Sequence, residues 1–66
     1  MPKKVREVKT VLERNGWVLV RQQGSHRHFR HAEAPFVITL AGKLSATVPP
    51  GTLGNIRRLS GLEELR

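Results

Sequence analysis

The spacing of apolar residues changes twice along this chain, and that change limits the folds open to it. Val5, Val8, Val11 and Leu12 recur at three- and four-residue steps, which predicts one face of a helix over residues 3–15. Pro2 suits its entry, and Asn15-Gly16 suits a left-handed exit. From Trp17 the period drops to two. Trp17, Leu19, Arg21 and Gln23 alternate against Val18, Val20 and Gln22, which predicts a strand over 17–23. Gly24-Ser25 is a turn signal, and a second strand over 26–31 then pairs with the first as a hairpin. It sets His26, His28 and Arg30 on one side and Arg27, Phe29 and His31 on the other, with Phe29 read as core. Ala34-Pro35 breaks the pattern, and 36–41 reads as a third strand. Helical spacing returns at Leu53, Ile56 and Leu59, after Pro50 and before Ser60-Gly61. Leu62 and Leu65 predict a last turn that folds back on the body.

The expected fold is a small two-layer α+β domain, α-β-β-β-α. A three-stranded antiparallel sheet carries two helices on one face, in the element order of double-stranded-RNA-binding domains. The 66 residues have room for one core, so residues 1–66 read as a single domain. A chain this short buries only about 60% of its unfolded surface, and it has no cysteine to brace it.

Charge narrows the partners. Twelve Lys and Arg face five Glu and no Asp, for a net charge of +7. The first thirty residues hold +6 of that excess, through Lys3, Lys4, Arg6, Lys9, Arg14, Arg21, Arg27 and Arg30 against Glu7 and Glu13. A concentrated positive field draws phosphate chains. The longest apolar run, Trp17–Val20, is far short of the ~20 residues that cross a bilayer. Met1-Pro2-Lys3-Lys4 has no apolar stretch of the secretory kind, so a cytoplasmic protein with no membrane partner is expected.

All three histidines fall in Gly24-Ser25-His26-Arg27-His28-Phe29-Arg30-His31. Imidazole both takes and gives a proton near neutral pH. Strand geometry puts His26 and His28 on one face with Arg30 next in line. On RNA such a face supports a definite reaction. A neutral His removes the 2′-hydroxyl proton, the oxygen attacks phosphorus, a cation stabilises the charge that develops, and an acid protonates the departing 5′-oxygen. His31 reads as a surface polar residue, and Ser25 serves the turn, a phosphate or His26.

Other chemistries lack their residues. His26 and His28 could supply two metal ligands, but a third ligand and nearby carboxylates are missing, and two-metal phosphodiester chemistry needs clustered acids. No Asp means no Ser/His/Asp triad, and the glycines lack phosphate-loop spacing. One Trp, two Phe and no Tyr do not make a base-stacking sheet platform.

The chain resembles the HicA (YcfA-like) toxins of bacterial and archaeal toxin–antitoxin systems. The resemblance rests on the opening helix Val5–Arg14, on Asn15-Gly16-Trp17 through Gln23, on Gly24-Ser25-His26 followed by Phe29, and on Val48-Pro49-Pro50-Gly51-Thr52-Leu53 leading to Ile56 and Gly61-Leu62. It implies an mRNA interferase with His26 as the catalytic histidine and a HicB-type antitoxin that covers the site; from the residues themselves, no cofactor is expected. The family's second, less regular histidine lies after the third strand. Lys43 stands there in this sequence, which leaves His28 or Lys43 as the second proton-transfer group. The site expected is therefore His26 with Ser25, His28 and Lys43 in support, no metal, and RNA contacts from Arg21, Arg27, Arg30, Lys3 and Lys4. The free chain is expected to be monomeric. The alternatives are a non-catalytic basic RNA-binding module and a protein whose basic face only meets an acidic partner.

Overall fold

The computed structural model describes residues 3–65, so Pro2 and its predicted role at the helix entry lie outside the described residues. The elements are α1 (Val5–Arg14), β1 (Val18–Gln23), β2 (His26–Arg30), β3 (Ile38–Ala41) and α2 (Pro50–Ser60), followed by a 3-10 turn at Glu63–Leu65. The sheet order is β1-β2-β3, antiparallel throughout. The expected α-β-β-β-α layout is therefore observed.

The core forms on one side of the sheet. Phe29, Ile38 and Leu40 are buried against Val5, Val8 and Leu12 of α1 and Leu53 and Ile56 of α2. Val48, Trp17 and Leu65 complete the cluster. Next to Leu65, Arg14 and Asn15 hold Glu64, through Nη2 to Oε2 at 3.1 Å and Nδ2 to Oε1 at 3.1 Å. The last turn thus folds back as its leucine spacing required.

α1 ends on glycine for a steric reason. Gly16 has φ +89°, and a Cβ there would stand 2.9 Å from His31 Nε2. The start of α1 is satisfied by the loop after β3. Val5 N–H donates to Ala46 O at 2.9 Å and Arg6 N–H to Leu44 O at 3.1 Å, while Glu7 Oε1 accepts from Lys4 N–H at 2.9 Å. Two of the orphan amides of a helix start are thereby paired. The same contacts pin the 42–47 loop to the body.

β1 departs from simple alternation. Val18 pairs with Arg30 and Leu19 with Phe29, but the next pair is Arg21 with His28. Val20 is the extra residue of a bulge and stands 53% exposed. Without it, Arg21 would face Arg27 on the inner side, a like-charge pair directly across the strands. The bulge carries Arg21 to the outer side and leaves Gln22 opposite Arg27. Arg21 therefore does not share a side with Leu19, as strict alternation predicted.

The other strand ends also shift. Trp17 and Phe36 fall outside the ladder and stack on each other, with ring centroids 6.1 Å apart. They close the end of the core beneath the 31–37 loop.

Candidate active site

Helices cover the inner side of the sheet, and the outer side is open. Its surface is built from Val18, Arg21 and Gln23 of β1, His26, His28 and Arg30 of β2, and Thr39 and Ala41 of β3. All are exposed except His28, which is half-buried between its neighbours. His26 lies across from Gln23 and Ala41, and His28 across from Arg21 and Thr39. The two imidazoles are second neighbours along one strand, about 7 Å apart at the backbone.

His26 follows directly from the turn. Gln23 pairs with His26, so the hairpin loop is Gly24-Ser25 alone. Gly24 has φ +61° and Ser25 is not positive, the pattern of a type II′ turn with glycine at its first position. Such a turn matches the strand twist and holds His26 at the end of the sheet.

The loop after β3 meets this same end. Gly42 N–H donates to Ser25 O at 3.2 Å, which brings exposed Lys43 beside the Ser25-His26 turn. The backbone of that loop continues to α1, where Val48 N–H donates to Lys3 O at 2.8 Å and Lys4 bridges Thr47. One hydrogen-bonded path thus links Ser25 and His26 to Lys43, Lys3 and Lys4, residues up to forty positions apart.

Arg27 has a different place from the one its charge suggested. It points to the inner side and is 8% exposed, the one buried charged side chain among the described residues. Its Nη1 donates to Gly42 O at 2.9 Å and to Ser25 O at 3.3 Å. Where a direct RNA contact was expected of Arg27, the guanidinium clamps the Ser25 turn to the Gly42 loop from beneath.

His31 is likewise not a loose surface residue. Glu33 N–H donates to its Nδ1 at 3.0 Å, so Nε2 carries the proton of the neutral ring and donates to Asn15 O at 3.1 Å. Its ring lies 5.2 Å from Trp17. His31 joins the end of α1 to the 31–37 loop, at the opposite end of the sheet from His26.

Sequence reasoning missed one neighbour of the site. Thr39 Oγ1 lies 3.1 Å from His28 Nδ1. Only the β2–β3 register brings them together, and nothing in the order of residues marks it. Among the described residues, no three His or Glu side chains gather in a way that could hold a metal ion.

The family model for the HicA toxin of bacterial toxin–antitoxin systems matches residues 5–62. The chain belongs to the HicA toxin family. The match spans α1 through the end of α2, so it includes every element that builds the open face of this HicA chain. Membership makes the protein a toxin of a toxin–antitoxin system, with an antitoxin as its partner. No curated protein matches the HicA chain closely. Among the described residues no helix is long and apolar enough to cross a membrane.

Proposed function

We propose that this HicA-family chain is a metal-independent endoribonuclease that cuts mRNA by attack of the 2′-hydroxyl, with His26 at the reacting bond. One observation carries the reading: His26 is exposed at the end of an open basic sheet face, beside Ser25 and Lys43 and in line with His28. The neutral imidazole of His26 takes the 2′-hydroxyl proton. The 2′-oxygen bonds to phosphorus, and the bond to the 5′-oxygen breaks as that oxygen takes a proton from a second group. The products are a 2′,3′-cyclic phosphate and a 5′-hydroxyl. Two groups about 7 Å apart can each reach one oxygen of a single phosphodiester.

The cations divide by position. Lys43 stands where charge develops on the phosphoryl oxygens. Arg21 and Arg30 hold flanking phosphates along the open face, and Lys3 and Lys4 extend the field beyond Lys43. The antitoxin is of the HicB type and covers this face, and its complement is acidic. The toxin works in the cytoplasm, where its substrate is.

The test is cleavage of a single-stranded RNA by the purified protein in excess chelator, read as new 5′-hydroxyl ends. Full activity in chelator, lost in His26→Ala, is expected. A rate that collapses with chelator, or a His26→Ala protein with full activity, overturns the proposal. RNA that is bound in a salt-dependent way and never cut supports the non-catalytic module instead.

A further inference from the structure

We infer that His28 is the general acid of this site and that Thr39 is the positioning residue that holds its ring. The inference rests on the ribonuclease reading above and assigns the second proton transfer that it leaves open between His28 and Lys43. Thr39 faces His28 across the β2–β3 ladder, with Oγ1 3.1 Å from Nδ1. That leaves Nε2 as the ring nitrogen without a protein partner among the described residues, on the face where substrate lies.

Thr39 fits both states through which a proton-donating imidazole must pass. Before transfer the ring is an imidazolium, with Nδ1–H donating to Thr39 Oγ1 and Nε2–H donating to the departing 5′-oxygen. After transfer Nδ1–H still donates to the same hydroxyl, and Nε2 holds the freed lone pair. The threonine oxygen stays an acceptor throughout, so the ring need not turn during the reaction. The opposite tautomer, with the hydroxyl donating to Nδ1, leaves Nε2–H on a neutral ring that neither accepts nor readily gives a proton.

A hydroxyl also orients the ring without adding the negative charge of a carboxylate, the usual partner of a histidine that acts as a base. His26 has no such partner among the described residues. The charged and titratable groups that face His28 are Arg21 from β1 and His26 and Arg30 from β2, while Thr39 and Ala41 on β3 bring none. Lys43, an exposed ammonium on the loop, is left to stabilise charge on the phosphoryl group.

The test compares His28→Ala, Thr39→Val, Thr39→Ser and His26→Ala on two RNA substrates. One is ordinary RNA. The other carries sulfur in place of the bridging 5′-oxygen at one linkage, a leaving group that needs no proton. Valine keeps the β-branched shape of threonine in the strand, and thermal unfolding checks that each variant folds. On ordinary RNA, Thr39→Val should lose about 10- to 100-fold and His28→Ala about 100-fold or more, with serine restoring the rate. A fall in rate toward high pH is expected of wild type and should be absent in His28→Ala. On the sulfur substrate both variants should return to within a few-fold of wild type, and His26→Ala should not.

Thr39→Val with the wild-type rate and pH profile overturns the role of Thr39. A His28→Ala defect that persists on the sulfur substrate overturns the acid assignment. A wild-type protein that cuts neither substrate refutes the ribonuclease reading itself. The ring ¹⁵N shifts of His28 then still test the positioning: Nδ1–H in wild type and a mixed tautomer in Thr39→Val support it, and an Nε2–H ring in wild type overturns it.

Discussion

Arg27→Met separates service to the fold from service to RNA. Methionine keeps an unbranched apolar stem in a core position, so the change removes the guanidinium and little packing. The bond to Gly42 O, at 2.9 Å, is a full charge-assisted hydrogen bond of about 1.5–3 kcal/mol. The bond to Ser25 O is weaker at 3.3 Å, and that carbonyl keeps the Gly42 amide when the guanidinium is gone. Relief from holding a buried charge offsets part of the loss. The net destabilisation is then about 2 kcal/mol, or roughly 8–16 °C in a domain of this size. Thermal unfolding followed by circular dichroism reads that change. A salt series of binding to a non-cleavable RNA reads the other half. Its log–log slope should stay at the wild-type value, because the guanidinium faces away from the open side. A midpoint within about 2 °C of wild type, with a slope shallower by about 0.7, would put Arg27 on a phosphate and refute the clamp.

Arg21→Gln and Arg30→Gln should each make the salt slope of RNA binding shallower by about 0.7 and leave the melting temperature nearly unchanged. An unaltered slope in either would remove that residue from the RNA path. Gly16→Ala should lose about 1–3 kcal/mol in denaturant unfolding, since it must strain a left-handed φ and displace His31. Phe29→Ala deletes a fully buried ring and should lose about 3–5 kcal/mol, most of the stability a domain of this length has. Its urea midpoint should therefore fall to a small fraction of the wild-type value.

Part of the site was legible from local pattern. The two-residue spacing of His26 and His28 needs only the strand period to put them on one face. Gly24-Ser25 needs only turn chemistry to place His26 next to a hairpin end. Phe29 alternates with both histidines, so its burial and their exposure are one prediction. Arg27 obeyed the same rule, and its position on the inner side followed from its neighbours. Its charge argued the other way, and charge alone says nothing of which carbonyls lie within reach.

The order of elements and the residues of the core follow from the sequence by itself, because helix and strand periods act over a few neighbouring residues. The position of Arg21 does not. One residue of bulge at Val20 reverses the side of everything after it in β1, and that bulge is set by pairing with β2. The meeting of Lys43 with the Ser25-His26 turn depends on the third strand and its loop. The bond from Thr39 to His28 depends on register between two strands. These are contacts across a folded sheet, between residues seven or more positions apart, and their energies exist only once the chain has closed. The sequence by itself determined that this is a small basic sheet with two imidazoles on one side. Only the tertiary structure decided which cations stand beside them and which one is held beneath.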